Sequence, residues 1–127
     1  MKHLFIIILG TITLFCSCNE PVNFKNFSQE NWKKDNLGCE GLRETEMEHF
    51  KEVKEVIQGV GETDILAILG RPNRHVLGKR MKKNYFYFVE VTCKDLTTTP
   101  KSWLEVKFNS VSQVDEVVYK TADHNNY

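Results

Sequence analysis

The chain has 127 residues, of which 17 are basic and 17 are acidic, so its formal net charge is zero. A chain without a basic excess lacks the electrostatic signature of a nucleic-acid-binding protein, and we expect no nucleic-acid partner. Its hydrophobic content of 41% is sufficient for a buried core and too high for an intrinsically disordered chain.

The N-terminus has the layout of an export signal. A basic residue, Lys2, precedes an uncharged and largely apolar run from residue 4 to residue 15. This run is shorter than the roughly 20 residues that a membrane-spanning helix needs. The residues that follow, Ser17 and Cys18, resemble the end of a bacterial lipobox, in which the cysteine becomes the lipid-bearing first residue. We therefore predict a signal peptide over residues 1–17 and lipid attachment at Cys18.

A polar stretch without periodicity follows the predicted lipid site. We interpret residues 18–31 as a flexible tether and residues 32–127 as a single domain, which is a common domain size. Near the start of that domain, Asp35 and Arg43 lie on either side of a glycine-rich turn around Cys39. We expect an ion pair or a capping contact that fixes the start of a helix; a binding site is the alternative.

Two helices are predicted in the first half of the domain. Between Glu40 and Gln58, apolar residues recur every three or four positions, the spacing of one buried helical face: Met47, Phe50, Val53 and Ile57. A second helix follows Gly61 and ends at Gly70, because a glycine there can adopt the left-handed conformation and Pro72 prevents continuation. The short connection predicts a helical hairpin.

After Pro72 the apolar residues alternate with a period of two. The pattern predicts three strands, Tyr85–Cys93, Trp103–Phe108 and Val114–Lys120, with a weaker fourth at His75–Lys79. Helices first and strands afterwards indicate an α+β fold. We predict two N-terminal helices, forming a helical hairpin, packed on one face of a three- to four-stranded antiparallel sheet.

Several of these segments resemble the SmpA/OmlA (BamE-like) family of outer-membrane assembly lipoproteins. The similarity lies in Gly59-Val60-Gly61, Asp64-Ile65, Ile68-Leu69-Gly70 with Pro72, Tyr85-Phe86-Tyr87, and Leu104 to Asn109 followed by Val114. It spans roughly residues 43–118 and implies two helices on a three-stranded sheet, with a role in outer-membrane β-barrel assembly. The segment from Trp32 to Cys39 departs from that pattern and resembles small lipoproteins of Bacteroides-related bacteria. The helix end at Gly70 also suits β-lactamase-inhibitor-like domains.

The cysteines indicate a disulfide rather than a metal site. If Cys18 is acylated, Cys39 and Cys93 are the remaining thiols of the mature chain, and two such cysteines usually pair in an oxidising compartment. Together with His49 and His75 they could supply four zinc ligands, but no two of these residues have the close spacing of a structural zinc motif. We expect a Cys39–Cys93 disulfide, no metal and no cofactor.

The sequence contains no pattern that predicts catalysis. No Gly-x-Ser-x-Gly nucleophile motif occurs. The adjacent carboxylates Asp115 and Glu116 lie in a predicted strand and would point to opposite faces, so they could not share a substrate atom. We therefore expect no catalytic residues. A small envelope hydrolase is the functional hypothesis that we favour least, after the two binding functions described at the end of this section.

Two surfaces are candidates for binding. The alternation of the strands predicts that Phe86, Phe88 and Trp103 lie on the sheet face away from the helices, as a surface for a protein partner. The alternative is that the tether or the C-terminal tail covers them. The second surface is a run from Arg71 to Lys83 with six cations and no acid, which predicts a solvated hairpin or a contact with anionic lipid headgroups through Arg74, Lys79, Arg80, Lys82 and Lys83.

These features favour a non-catalytic, lipid-anchored protein of the cell envelope that binds another envelope protein, and we expect its role to lie in outer-membrane assembly or integrity. Asn19 after Cys18 does not resemble the signal for inner-membrane retention, so we expect the outer membrane, facing the periplasm or the cell surface. The alternative is an inhibitor or ligand-binding domain of the β-lactamase-inhibitor-like shape.

Overall fold

Three helical units precede four strands in the computed structural model, which describes residues 21–94 and 99–122. The helical units are α1 (Gln29–Lys34), then α2 (Leu42–Glu46) continued by a 3-10 turn (Met47–His49) and α3 (Phe50–Ile57), and last α4 (Glu62–Leu69). The predicted signal peptide and the predicted lipid site at Cys18 lie outside the described residues.

The strands form one antiparallel sheet in sequence order. They are β1 (Arg74–Leu77), β2 (Lys83–Val91), β3 (Pro100–Phe108) and β4 (Val114–Thr121). The three predicted strands and the weaker fourth are all present, so the α+β class and the antiparallel sheet are confirmed. The weak sequence signal of β1 has a simple cause, because this strand has only four residues and three of them are exposed.

The core lies between the helical units and one face of the sheet. Buried helical residues such as Trp32, Val53 and Ile65 belong to one hydrophobic cluster with Tyr87 and Leu104 of the central strands. Alternate residues of β2 and β3 are buried in this cluster, as the period of two predicts. The other face of the same strands is therefore the one on which a binding surface can be sought.

The stretch before α1 corrects the prediction of a flexible tether reaching residue 31. Phe27 is buried, and Ser28 caps α1 by accepting a hydrogen bond from the N–H of Asn31. The backbone N–H groups of Lys25 and Asn26 donate to the carboxylate of Glu52 in α3. The polar composition concealed this packing, because two aromatic side chains and one acceptor are enough to hold so short a stretch on the core.

Cys39 and Cys93 form a disulfide, with their Cα atoms 5.8 Å apart. The bond joins the loop between α1 and α2 to the residues that follow β2, and it agrees with the pairing expected from the sequence. Within residues 21–94 and 99–122, no helix combines the length and the apolar character needed to cross a membrane.

Candidate functional site

The outer face of the sheet carries a row of aromatic side chains, which we call the aromatic row: Phe86, Phe88 and Trp103. In β2 the two phenylalanines alternate with the buried residues Tyr85 and Tyr87. Phe88 lies directly opposite Trp103 of β3 in the register of the sheet. All three side chains are half-buried, although the buried helical residues pack on the opposite face.

The segment before α1 does not cover the aromatic row. Phe27 and Trp32 stack in sequence against the inner face, with ring centroids 5.7 Å apart, and Trp32 lies 6.1 Å from the ring of Tyr87. The alternative in which the tether covers the aromatic row therefore does not hold for these two residues. The C-terminal tail, residues 123–127, lies outside the described residues.

Charged side chains surround the aromatic row. The guanidinium of Arg74 lies 5.7 Å from the ring centre of Phe86, its partner in the neighbouring strand. On the other side of Phe86, Glu105 is only 4% exposed, and the Nζ of Lys120 lies 2.8 Å from its Oε2. Sequence analysis did not single out Glu105; its shared parity with Trp103 was the signal that could have placed it on this face.

Two further ion pairs complete the rim of the outer face. The Nζ of Lys101 lies 3.3 Å from the Oε1 of Glu90, and the Nζ of Lys107 lies 3.0 Å from the Oε2 of Glu116. The hydrogen bond to Glu116 raises the pKa of Lys107. An aromatic centre with a charged rim is the composition that protein–protein interfaces favour. The indole N–H of Trp103 has no acceptor among the described residues.

A second polar cluster, which we call the arginine node, covers the edge of β2 beyond Phe86, where β1 no longer pairs with it. Arg43 is 1% exposed and donates to three oxygens: the backbone O of Trp32 at 3.0 Å, the Oδ1 of Asn73 at 2.8 Å and the backbone O of Phe88 at 2.9 Å. Burial lowers the pKa of Arg43 to about 10, so the guanidinium stays charged at neutral pH. Its ring-face contact with Trp32, at 4.6 Å, adds a cation–π interaction.

The other members of the arginine node complete the edge of β2. Asn73 accepts from the N–H of Phe88 at 2.9 Å, and the N–H of Val91 donates to the backbone O of Gly38 at 3.0 Å. Asp35 accepts from the N–H groups of Glu40 and Arg43, which confirms the predicted capping contact. Because these groups bond to one another, the node is structural and blocks the addition of a partner strand here.

The predicted headgroup cations occupy different environments. Lys83 forms an ion pair with Glu62 at 2.7 Å, and Arg74 lies on the aromatic row. Lys79, Arg80 and Lys82 are exposed in the turn between β1 and β2. The structure thus separates the five cations into one internal pair, one member of the outer face and three residues of a hairpin turn.

A short hydrogen-bond network links the start of α4 to β2. The carboxylate of Glu62 accepts from the hydroxyl of Tyr85 and from Lys83, and the hydrogen bond from Lys83 is the main cause of its lowered pKa. Burial, with the bond to Glu62, raises the pKa of Tyr85 to about 12. The network satisfies its own members and fixes α4 on the sheet.

Among the grooves of the described surface, two are open to solvent and are lined by histidine side chains together with other polar groups. One, of about 520 Å³, lies beside α3 and includes His49 and Glu52; the other, of about 530 Å³, lies beside β1 and includes His75 and Tyr85. Within the described ranges, no three potential metal ligands come together, and the sulfurs of Cys39 and Cys93 are bonded to each other.

Comparisons with models of protein families, with curated proteins and with solved structures give no match for this chain.

Proposed function

We propose that this protein is a non-catalytic, lipid-anchored module of the cell envelope that binds another envelope protein through the outer face of its sheet, in outer-membrane assembly or integrity. The aromatic row carries the proposal. In this arrangement the predicted helical hairpin occupies one face of the sheet and leaves the other to the partner.

The composition of the outer face supports a protein partner over a small ligand. Large aromatic residues at the centre of a surface supply most of the binding energy of protein interfaces, and rim charges contribute orientation. Phe86, Phe88 and Trp103 form such a centre, and Arg74 extends it at the edge next to β1. The charged side chains of this face already form ion pairs with one another, so binding should require little rearrangement.

The partner we propose presents an apolar surface with acceptor groups. Its apolar side chains would cover Phe86 and Phe88, and a carbonyl or carboxylate would meet Arg74. A membrane-anchored partner is favoured because the predicted lipid at Cys18 would hold both proteins at one surface. The loss of translational freedom on binding is then smaller than for two proteins in solution.

In-cell photocrosslinking tests this proposal directly. A photoreactive residue placed at position 88 and, separately, at position 103 should crosslink the same envelope protein. The matched control is position 37, because Leu37 is exposed but lies in the loop between α1 and α2. Equal crosslinking from position 37 would contradict the proposal, and capture of one soluble enzyme would favour the inhibitor alternative.

A stability measurement separates binding from folding. Phe88→Ser and Trp103→Ser should lower the free energy of unfolding by less than about 2 kcal/mol, because both side chains are only half-buried. The same substitutions should abolish crosslinking at the unchanged position of the pair. A loss of stability like that of a core residue would show that the row is structural.

The anchoring part of the proposal has its own test. Mass spectrometry of the mature chain should find fatty acids on Cys18, and Cys18→Ser should release the protein from membranes. A mature chain without fatty acids would overturn the anchoring part of the proposal. The crosslinking result would still test the binding of a partner by the aromatic row.

A further inference from the structure

The turn between β1 and β2 combines exposed apolar residues with cations. Leu77 is 68% exposed and Met81 is 77% exposed, and between and beside them lie Lys79, Arg80 and Lys82. We call residues 77–82 the hairpin tip. From Arg71 to Lys83 the chain contains no acidic residue, so the surrounding sequence adds no opposing charge.

The backbone conformation of the hairpin tip fixes the positions of these apolar and cationic residues. The N–H of Gly78 donates to the backbone O of Lys82 at 2.8 Å, which closes the turn. Arg80 and Met81 have φ angles of 59° and 64°, in the left-handed region that residues other than glycine rarely adopt. Residues in such conformations concentrate at functional sites, which makes a role for their side chains worth seeking.

The cations of the hairpin tip are free to bind an external anion. Among the described residues, the lysines in ion pairs are Lys83, Lys101, Lys107 and Lys120. Lys79, Arg80 and Lys82 form none of these pairs. A ligand that contacts these three cations together with Leu77 and Met81 must contain both negatively charged groups and an apolar region.

We propose that the hairpin tip inserts Leu77 and Met81 into the interfacial region of an anionic bilayer, while Lys79, Arg80 and Lys82 contact the lipid phosphates. This contact is separate from the acyl chain and from the aromatic row. It narrows the predicted headgroup set, because Lys83 is paired with Glu62 and Arg74 lies on Phe86.

A membrane fits the hairpin tip better than other anionic partners. Nucleic acid would engage the cations but would leave Leu77 and Met81 without a contact. A stable protein interface buries more than about 1,000 Å² of surface, which six residues of a turn cannot supply. A bilayer needs only a few inserted side chains, with phosphates at the depth where the lysines end.

The test uses the full chain carrying Met81→Trp and vesicles whose lipids have brominated acyl chains. Bromine quenches a tryptophan only at short range, so quenching reports insertion of position 81. Vesicles of phosphatidylcholine are compared with vesicles that also contain phosphatidylglycerol. The unsubstituted protein supplies the signal of Trp32 and Trp103, which is subtracted.

Val111→Trp is the matched control. Val111 is 69% exposed, as the residues of the hairpin tip are, but it lies in the turn between β3 and β4, whose residues 109–113 include no lysine or arginine. We expect additional quenching from position 81 and none from position 111, with phosphatidylglycerol increasing the difference and salt reducing it.

Two further variants test the two parts of the contact. In the Met81→Trp background, replacement of Lys79, Arg80 and Lys82 by Gln should weaken partitioning about 100-fold, at about fivefold per cation. Leu77→Ser should weaken it about tenfold. Circular dichroism checks that both variants fold, which we expect because the altered side chains are exposed.

Equal quenching from positions 81 and 111 would overturn the inference, as would partitioning that the Gln substitutions leave unchanged. Crosslinking of the hairpin tip to a protein, without quenching in vesicles, would also overturn it. The inference shares with the proposed function only a location at a membrane. The vesicles contain no protein partner, so a negative result here leaves the crosslinking test of the aromatic row unaffected.

Discussion

At the scale of single residues, Arg43 decides how the N-terminal part of the chain joins the sheet. Its three hydrogen bonds join three parts of the chain that are distant in sequence. They reach Trp32 in α1, Asn73 in the loop before β1, and Phe88 in β2. A guanidinium is suited to this role because its donors diverge in one plane. The sequence identified Arg43 through its place near Asp35, but not its contacts with Asn73 and Phe88.

We predict that Arg43→Met lowers the free energy of unfolding by about 3 kcal/mol, because it leaves buried oxygens of Trp32, Asn73 and Phe88 without donors. Urea unfolding of the purified protein measures the effect. The control is Arg71→Met, at an exposed position, which should stay within about 0.5 kcal/mol of the wild type. A similar loss in both variants would contradict the structural role of the arginine node.

The network around Glu62 predicts a dependence of stability on acid pH. The hydrogen bonds from Lys83 and Tyr85 lower the pKa of Glu62 from its usual 4.5 in the folded protein. A carboxylate with a depressed folded pKa contributes stability that is present above the unfolded pKa and is lost as pH falls through the folded pKa. This part of the stability should therefore begin to decline at about pH 4.5 and be lost as the pH falls through the lower, folded pKa.

Glu62→Gln should flatten the fall of unfolding free energy as the pH drops below about 4.5, as measured by urea unfolding at several pH values. Glu55→Gln is the control, since Glu55 is exposed on α3 and takes part in none of the described ion pairs. If Glu62→Gln kept the full acid slope of the wild type, the network would not be the cause.

At the scale of elements, the loop between α1 and α2 approaches β2 closely at one glycine. Gly38 has a φ of +72°, and a Cβ built on it would lie 2.9 Å from the backbone O of Phe88. Gly41, in the same loop, has a φ of +76° but no atom within 4 Å of its Cβ position. The two glycines thus differ in surroundings and agree in backbone conformation.

We predict that Gly38→Ala costs about 3 kcal/mol of unfolding free energy, whereas Gly41→Ala costs about 1 kcal/mol. The left-handed conformation explains the smaller value, and the contact with Phe88 explains the difference. Thermal and urea unfolding of the two variants measure both. Equal losses would show that the loop can move away from β2 without cost.

The strands were predictable and the first helix was not. Burial alternates along β2 from Tyr85 to Val91, and in β3 the apolar Leu104, Val106 and Phe108 alternate with Glu105 and Lys107 in the sequence, so both strands show the period of two. Helix α1 has six residues and a single buried side chain, Trp32, so it has no period to detect. Its capping residue, Ser28, was the remaining signal in the sequence.

At the scale of the whole molecule, the disulfide ties the N-terminal layer to the sheet across 54 residues. We predict that the double variant Cys39→Ser and Cys93→Ser loses about 4 kcal/mol of unfolding free energy, because closing a loop of this length restricts the unfolded chain. Reductant should lower the stability of the wild type by the same amount and leave the variant unchanged. A reductant effect on the variant would point to another cause.

The packing of residues 22–31 changes how the domain would sit at a membrane. If Cys18 carries the lipid, only three chain steps, through Asn19 and Glu20, join it to Pro21, the first described residue. Their extended length is roughly 10 Å, well short of the reach of a free tether from residue 18 to residue 31.

The sequence by itself determined the sheet, the parity that puts Phe86, Phe88 and Trp103 on one face, and the pairing of two cysteines. The sheet and the parity follow from the alternation of apolar residues along each strand, which is a local property of the sequence. The pairing follows from the tendency of two thiols to oxidise in an oxidising compartment. Tertiary structure alone decided that Glu105 is buried on that face, that Lys83 is paired, and that Leu77 and Met81 are exposed beside cations that form none of the ion pairs among the described residues. Burial and pairing depend on which distant segments meet in space, and no local pattern encodes that.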